Sequence, residues 1–383
     1  MLSALSNDVL EYIDNIIVIL NQNGEAEYVN AAAKKILGFH PKELLGNAWW
    51  TKIRAGINNP YTLKKEFLQQ LKLSEKTNNS FERKMTDSNG KTRYILWNVV
   101  KNEQNKFIGI GQDITKQKEM ELKTIKQQRE ILDSIEYARN LQEAILPDLS
   151  VLNNVLYDYF IFYKPKDILS GDFYWAYRKE NTLYVAAIDC TGHGVPGAMM
   201  SVLANSILRE VIIKKGFDDL QTVFAELDKE LIYALSKQST RSVKNDGMDL
   251  GLLKLDFDTF KAEYIGANRP LLKISNTNQL QEYKGSPYPI GFFYGYDKKF
   301  IVHKFNFNVG DRFYLFSDGF PDQFGGEKNK KFSKRKFKEL LLSLYDMKME
   351  EQKSFLEYVL NNWKQEEEQT DDSDREVRAR LHS

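Results

Sequence analysis

Short apolar runs separated by turn residues fill the first 115 positions of the chain. The run at Ile16 to Leu20 is followed by the turn pair Asn23 and Gly24, and further runs recur up to Asp113. The predicted strands are Ile16 to Leu20, Ala26 to Asn30, Phe81 to Thr86, Thr92 to Val100 and Phe107 to Asp113. Helical stretches with Gly38 and Pro41 at their boundaries stand between the second and third strand. The pattern predicts a five-stranded antiparallel sheet with short helices.

A long charged stretch without Gly or Pro follows, from Gln112 to Leu146. Its apolar residues recur at intervals of about 3.5 residues, which predicts a helix with one apolar stripe. The stripe consists of Ile131, Ile135, Ala138, Leu141 and Ile145. A single amphipathic helix packed on its own domain and a parallel coiled coil that makes a homodimer fit this spacing equally well. The breaks in a strict heptad, at Gln128, Arg139 and Gln142, predict a short coil.

Beyond Pro147 the runs become longer and richer in aromatic and β-branched residues, and helical stretches lie between them. The predicted strands are Tyr157 to Tyr163, Phe173 to Tyr177, Leu183 to Asp189, Leu250 to Phe257, Lys261 to Ile265, Phe300 to Phe307 and Arg312 to Phe316. The predicted helices are Pro196 to Lys214, Leu220 to Leu235, Ser333 to Leu344 and Glu350 to Trp363. The sequence therefore predicts an α+β, multidomain chain: domain 1–115, a helical linker 116–147, and a domain 148–383 of stacked sheets covered by helices.

Composition narrows the classes of function. The 383 residues are 42% hydrophobic and 13% aromatic, which is typical of a globular protein and excludes a disordered chain. With 54 basic and 53 acidic residues, no global field favours nucleic acid or an anionic membrane. The lone Cys190 excludes an intrachain disulfide and favours a reducing compartment, so we expect a cytoplasmic protein. No apolar run approaches the ~20 residues of a membrane span, and the start does not read as a signal peptide.

Four aspartates stand beside glycine or turn residues at the apparent ends of strands. They are Asp172, Asp189, Asp318 and Asp371. Carboxylates brought together from strand ends form a hard-oxygen site, which suits Mg²⁺ or Mn²⁺ rather than zinc. A single Asp-Gly pair is more often a turn, whereas several such motifs in order make a much stronger signal.

The front of the chain, "VILNQNGEAEYVNAAAKKILGFHPKELLG" and "GKTRYILWNVV…FIGIGQDIT", resembles a PAS sensor domain over about 110 residues. The resemblance implies a ligand pocket whose ligand is unknown. A flavin-reactive cysteine is absent there, since Cys190 lies outside the domain. The turn position of His40 favours a solvated residue over a haem ligand, and Trp49 and Trp50 are expected to pack rather than bind a cofactor.

The rest of the chain resembles the SpoIIE-type serine phosphatases, relatives of the metal-dependent type-2C protein phosphatases. The matching motifs are "DSIEYARNLQEAILP", "DILSGDFYW", "IDCTGHGVPGAMMS", "NDGMDLGLLKLD", "IGANRPLL", "PIGF" and "LFSDGFPDQFGG". The resemblance implies an αββα sandwich holding two Mn²⁺ or Mg²⁺ ions that activate water for attack on a phosphoserine or phosphothreonine. Asp189 would bridge both metals and the Cys190 carbonyl would be a further ligand. Asp172 and Asp318 would each hold one metal, and Asp371 matches the last ligand.

Other residues of these motifs have two interpretations each. His193 is a candidate proton donor to the serine leaving group, although a structural role in its glycine turn is slightly favoured. Asp249 is a candidate for supporting the site or a regulatory helix, and a role in stabilising its own turn has equal weight. Asn268 and Arg269 are candidates for contacting the substrate phosphate, but the loop position of Arg269 predicts a solvated charge.

The end of the chain departs from the resemblance. After the pair Asp371 and Asp372 a β-branched closing strand is implied, whereas positions 373–383 carry few alternating apolar residues. The sequence therefore predicts no central strand there and leaves the place of Asp371 as a ligand open.

The leading hypothesis is a PAS-regulated, metal-dependent protein serine/threonine phosphatase. The resemblance implies a phosphorylated anti-sigma-factor antagonist as the partner. The alternative is a non-catalytic PAS sensor and scaffold that binds a signalling partner through an impaired phosphatase fold. Intact Asp172, Asp189 and Asp318 favour the enzyme, and the unusual C-terminal end favours the scaffold.

Overall fold

The structure is a computed structural model that describes residues 9–53, 60–73, 78–147, 150–153, 155–236, 246–291, 298–365, 367–369 and 373–381. The chain divides into two compact units, Met1–Ile131 and Leu132–Ser383. Each unit has hydrophobic cores of its own.

The first unit is built on a five-stranded antiparallel sheet, which confirms the predicted fold class. Its strands are β1 (Ile16–Leu20), β2 (Ala26–Val29), β3 (Asn78–Thr86), β4 (Thr92–Lys101) and β5 (Phe107–Asp113). Their order is β2-β1-β5-β4-β3. The helices are Ala32–Leu37, the 3-10 helix Pro41–Leu44, Ala48–Lys52 and Pro60–Leu73.

Apolar residues of the sheet and of the short helices form the core of this unit. Trp49 and Trp50 are both buried, and the Trp49 ring meets the edge of Trp97 at a centroid distance of 5.7 Å. A cavity of about 30 Å³ lies among these rings, Phe67 and Arg83, enough for one or two water molecules. The helix Ala32–Leu37 ends at a left-handed Gly38 with φ 75°, which explains the glycine at that position.

A 31-residue helix, Thr115–Ile145, follows β5 and is called the linker helix below. Thr115 fixes its start, because its hydroxyl lies 2.5 Å from Asp113 Oδ1 and accepts a hydrogen bond from the Tyr94 amide. The structure confirms the predicted helix. Among the residues of the predicted stripe, Ile131, Leu141 and Ile145 are exposed in the single chain.

The second unit contains two antiparallel sheets. Its strands are β6 (Leu156–Lys164), β7 (Phe173–Lys179), β8 (Thr182–Cys190), β9 (Gly247–Asp256), β10 (Lys261–Ala267), β11 (Leu271–Ile274), β12 (Leu280–Tyr283), β13 (Ile290–Gly291), β14 (Val302–Asn306), β15 (Arg312–Leu315), β16 (Phe324–Gly325), β17 (Lys330–Lys331) and β18 (Ser373–Leu381). One sheet has the order β14-β10-β9-β8-β7, with β13 beside β9. The other has the order β12-β11-β15-β18-β6, and β16 pairs with β17 separately.

Alternation along β8 shows how the layers stack. Leu183 and Val185 point into a core shared with Phe313 of the other sheet, whereas Ala186 and Ile188 pack in a second core against helices. A third core covers the outer face of the other sheet. The helices of this unit are Ser150–Asn153, Gly194–Leu208, a π-helical turn Arg209–Lys214, Leu220–Ser236, Gly319–Asp322, Lys334–Ser343 and Met349–Lys364. The arrangement is the αββα sandwich that the resemblance implied.

The segment Gly194–Lys214 is long and apolar enough to cross a membrane, judged by length and composition alone. More than half of its most apolar window is buried inside the protein. Ala204 and Leu208 lie in the core beneath β8. A core helix of a globular domain passes the same criterion.

The C-terminal strand corrects a prediction. Few apolar residues alternate after position 372, yet Ser373–Leu381 forms β18 in the middle of a sheet, between β15 and β6. The main chain of a central strand is paired on both sides, and this satisfies its N–H and C=O groups whatever the side-chain pattern. The sequence-based prediction of no central strand is therefore wrong.

Candidate active site

Two of the candidate carboxylates meet across neighbouring strands. Asp189, near the end of β8, stands opposite Asp249 near the start of β9, and Cys190 stands opposite Met248. Like charges in such a cross-strand pair repel each other and destabilise the sheet unless a cation compensates for them. Asp249 is thus placed beside Asp189, although its sequence position gave equal weight to a turn-stabilising role.

The other sheet supplies the third carboxylate. Asp318 follows β15 and is the residue at the start of the short helix Gly319–Asp322. Its Oδ2 lies 2.9 Å from Nη1 of Arg269. The Nη2 atom of the same arginine contacts the two carboxylates of the first sheet. The site is therefore assembled from both layers of the sandwich.

Asp172 precedes β7 and is buried. The Ser170 hydroxyl accepts a 3.0 Å hydrogen bond from the Asp172 amide and donates one of the same length to its carbonyl oxygen. The intervening Gly171 packs against main chain: a Cβ there would lie 2.6 Å from the Gly192 oxygen and 3.0 Å from that of Cys190. Only glycine allows this approach, which brings the segment of Asp172 against the Cys190 carbonyl.

Arg269 lies at the centre of these carboxylates, which corrects the prediction of a solvated charge. Its side chain is only 8% exposed. Nη2 contacts Asp189 and lies 3.0 Å from Asp249 Oδ2, while Nη1 reaches Asp318. A guanidinium presents donors in a planar fork, so it can join several carboxylates at once. Three carboxylates together compensate for the burial of the charge, which a loop position alone could not reveal.

The electrostatics of the site follow from burial and from the excess of carboxylates. Burial raises the pKa of Asp249, although Arg269 and the Asn268 side chain oppose the change. Burial tends to lower the pKa of Arg269, but Asp189 and Asp318 raise it by more, so the guanidinium stays charged. Burial also raises the pKa of the Cys190 thiol, with Asp189 adding to the effect. The thiol is therefore neutral, and only the carbonyl of this residue is a hard-oxygen donor.

Divalent cations fit the chemistry of this donor set. Asp172, Asp189, Asp249 and Asp318 carry more negative charge than one guanidinium compensates for, and all four offer oxygen ligands. Among the residues that the structure describes, no three acidic, histidine or cysteine side chains are arranged around a single metal position. The carboxylates are instead arranged around the guanidinium of Arg269.

One sequence-predicted residue with a described position is not part of this arrangement. His193 stands at the start of the helix Gly194–Leu208, with 63% of its side chain exposed and Nδ1 2.8 Å from Asp167 Oδ2. Asp371 lies outside the described residues. Asn268, in contrast, adopts a left-handed conformation with φ 58° and donates a 2.8 Å hydrogen bond to Asp249 Oδ1. It thereby orients a carboxylate of the site.

Comparison with known proteins gives a family for each part of the chain. The model of the family Stage II sporulation protein E (SpoIIE) matches residues 179–373, just over half of the chain. The chain belongs to the SpoIIE family. A PAS domain model matches residues 14–116. A search of curated proteins found no match.

Solved structures extend the comparison. The SiaA-PP2C domain of Pseudomonas aeruginosa is 32% identical, with a TM-score of 0.60, over 67% of this chain and 98% of that one. The PP2C phosphatase domain of SpoIIE from Bacillus subtilis, with a fragment of its regulatory domain, is 14% identical, with a TM-score of 0.50, over 84% of this chain and 90% of that one. The latter likeness concerns the fold alone. This member of the SpoIIE family thus combines a PAS domain with a PP2C-type phosphatase domain.

Proposed function

We propose that the chain is a PAS-regulated, metal-dependent protein serine/threonine phosphatase. The observation that carries the proposal is that Asp189 and Asp249 of one sheet and Asp318, which follows β15 of the other, all contact the guanidinium of Arg269. Together with Asp172, these carboxylates carry more negative charge than the one guanidinium compensates for, and the remaining like charges repel each other. A hydrolytic site that needs hard-oxygen ligands explains the arrangement.

The candidate ligands have distinct positions. Asp189 lies opposite Asp249 on the neighbouring strand and contacts the same guanidinium as Asp318 of the other sheet, and we assign it the role of a ligand shared by two cations. Asp172, the Cys190 carbonyl and Asp371 complete the proposed set. Two divalent cations bound there would supply charge for the phosphate oxygens and activate water. The protein's own contribution is to fix the carboxylates, through Asn268 at Asp249 and Ser170 at the segment of Asp172.

The substrate is proposed to be a phosphoserine on a signalling protein, of the anti-sigma-factor antagonist type. The side chains of Asp189 and Asp318 are 21% and 32% exposed, so the carboxylate cluster opens to solvent. A residue presented on another protein's surface can reach such an opening. We also propose that the protein is cytoplasmic and that it forms a homodimer.

The alternative, a non-catalytic sensor and scaffold, depended on an impaired C-terminal end. β18 is paired with β15 and with β6, so the sheet is complete without an apolar alternation in its last strand. This pairing removes the argument for an impaired fold and favours the enzyme.

The proposal is tested by phosphate release from a phosphoserine protein and from a small aryl phosphate, with Mn²⁺, with Mg²⁺ and with chelator. We expect activity only with a divalent metal, and loss of most of it in Asp189→Asn and in Asp318→Asn, since each change removes a charged ligand. Asp258→Asn, an exposed turn carboxylate, is the matched control and should keep full activity. Full activity with chelator, or in both site variants, would refute the two-metal mechanism.

A further inference from the structure

The guanidinium of Arg269 occupies the oxygen atoms that metal ions would need. Its Nη2 contacts Asp189 and Asp249, and its Nη1 contacts Asp318. The same three carboxylates are candidate ligands or neighbours of ligands in the proposed function. A divalent cation bound to these oxygen atoms would lie close to the guanidinium, so the two positive charges would repel each other and compete for the same carboxylates.

The main chain of Arg269 is held rigidly. Tyr264 donates a 2.5 Å hydrogen bond from its hydroxyl to the Arg269 carbonyl, and the Arg269 amide donates to the Ala267 carbonyl at 2.8 Å. Gly266 and Gly285 lie so close to the Arg269 carbonyl that a Cβ at either would overlap it. The main chain of Arg269 is therefore fixed next to the site. The guanidinium can move only by rotation about the bonds of its side chain.

Not every N–H donor of the guanidinium has a hydrogen-bond acceptor in this position. Arg269 Nε is buried and has no hydrogen-bond partner in the part of the chain that the structure describes. A buried donor without a partner costs free energy, so the present position is stabilised mainly by charge. A stronger cation at the carboxylates would remove that stabilisation, and would also repel the guanidinium directly.

We propose that Arg269 is the resident counter-ion of the active-site carboxylates and that divalent metal binding requires its displacement. Before metal binds, the guanidinium holds Asp189, Asp249 and Asp318 together against their mutual repulsion. The competition raises the metal concentration at which the site becomes loaded. This inference rests on the proposed function, because it takes the carboxylates to be metal ligands.

The test measures metal binding and stability rather than turnover. Mn²⁺ affinity of the full-length protein is obtained from the electron paramagnetic resonance signal of free Mn²⁺, and melting temperature is recorded with chelator and with saturating Mn²⁺. We expect Arg269→Met to bind Mn²⁺ about tenfold more tightly than the wild type, within the usual range of coupling between two sites. Its melting temperature should be lower with chelator, and the difference should shrink when Mn²⁺ is saturating.

Two further variants make the result specific. Arg269→Lys keeps a charge but cannot span three carboxylates, so its Mn²⁺ affinity should lie between those of the wild type and the methionine variant. This variant decides the question if Arg269→Met does not fold. Arg312→Met removes another buried arginine of the same unit, one that contacts the Leu344 carbonyl, and should lower the melting temperature without changing Mn²⁺ affinity.

Wild-type or weaker Mn²⁺ affinity in both Arg269 variants would overturn the inference. The proposed function is judged separately with Asp189→Asn. If this variant loses Mn²⁺ binding while the Arg269 variants bind like the wild type, the metal site stands and the competition is refuted. If Asp189→Asn binds Mn²⁺ as the wild type does, the metal site and the inference fail together.

Discussion

Gln142 donates a 2.6 Å hydrogen bond from its side-chain amide to the main-chain carbonyl of Ser170, close to Asp172 in sequence. The same amide donates to the Ser201 hydroxyl at 2.7 Å, and Gln142 is buried. The heptad pattern assigned this residue only the role of an interruption. The structure shows the last turns of the linker helix joined to the segment that carries a candidate metal ligand.

Gln142→Ala is expected to lower the free energy of unfolding by about 1 to 3 kcal/mol, because two buried acceptors lose their donor. Mn²⁺ affinity should fall as well, since the segment of Asp172 loses its support. Thermal unfolding and Mn²⁺ titration measure the two effects. Gln128→Ala, at an exposed position of the same helix, is the control and should change neither. Wild-type values in Gln142→Ala would show that the hydrogen bonds contribute little.

His193 gives a prediction about the leaving group. A general acid helps most when the leaving group is a poor one, such as the alkoxide of serine, and helps little with an acidic phenol. If His193 is the acid, His193→Gln should slow hydrolysis of a phosphoserine protein at least tenfold while aryl phosphate hydrolysis changes little. Asp167→Asn, which alters its partner at 2.8 Å, should have a smaller effect in the same direction. Equal rates of His193→Gln and wild type on both substrates would leave His193 a structural role.

The charge of Asp87 is expected to make the stability of the first unit, which contains the PAS domain, sensitive to acid. Its Oδ1 accepts hydrogen bonds from the amides of Asn89 and Lys91, and its Oδ2 lies 2.9 Å from Arg93 Nη2. Burial would raise the pKa of Asp87, but the Lys91 amide and Arg93 outweigh it and hold the pKa below its ordinary value of 3.8. The native state therefore favours the ionised form, and the resulting stability is present above pH 3.8 and lost as pH falls through the lower, folded-state pKa.

We expect Asp87→Asn to lower the free energy of unfolding at pH 7 by about 1 kcal/mol or more. The difference from the wild type should narrow below pH 3.8. Urea unfolding of the full-length protein at several pH values measures it. Asp14→Asn removes a carboxylate that pairs with Lys35 at an exposed position and should have almost no effect. A pH-independent difference would contradict the assignment to the carboxylate charge.

The position of β18 changes what truncation should do. Removal of everything after Gln369 deletes a strand that pairs with β15 on one side and β6 on the other. Among the described strands, β6 loses its neighbour in the sheet and β15 keeps its pairing with β11 alone. We expect an insoluble chain or a large loss of melting temperature, with soluble yield and circular dichroism as the measurements. Removal of only the last two residues is the control. An unchanged melting temperature in the longer truncation would mean that β18 contributes nothing to the sheet. Asp371→Ala, by contrast, should weaken metal affinity with the fold intact.

Local patterns predicted much of the fold. β1 and β5 were predicted with their observed bounds, because apolar residues and turn pairs such as Asn23 and Gly24 mark both ends. β18 was missed, because its pairing partners are distant in sequence and its own residues carry little period-2 signal. β11 and β12 pair with each other, but each has only four residues, which is too short for a clear alternation. The alternation of apolar and polar residues does not reveal a strand whose stability comes from pairing with its neighbours.

The site was predictable only in part, for a similar reason. Asp172 and Asp318 stand beside glycines, and Asp189 comes three residues before Gly192 at the end of a predicted strand, which marked them in the sequence. The proximity of Asp249 arises from the cross-strand register that puts it opposite Asp189, which residue spacing does not contain. The burial of Arg269 depends on carboxylates from two sheets, so no local pattern distinguishes it from a solvated loop charge.

Three side chains of the apolar stripe on the linker helix are exposed in the part of the chain that the structure describes. Ile131 is 59% exposed, Leu141 49% and Ile145 39%. Burying one such side chain contributes roughly 1.5 to 3 kcal/mol, so a second copy of the helix would gain substantially by covering the stripe. The same helix reaches the hydrogen bonds of Gln142 to Ser170. A change of packing along the stripe therefore has a physical route to the candidate metal site.

Ile135→Glu and Leu141→Glu should each shift the protein from dimer to monomer and change the phosphatase rate together. A charge placed in the apolar stripe opposes association of two linker helices. Without the second helix, the C-terminal turns of the linker helix, which carry Gln142, are held less firmly. Lys123→Glu reverses a charge at an exposed position of the same helix and should alter neither property. Light scattering gives the mass, and phosphate release from a phosphoserine protein gives the rate, on the same samples. A monomeric wild type, or seam variants with wild-type mass and wild-type rates, would make the linker helix a passive connection and place the regulation elsewhere.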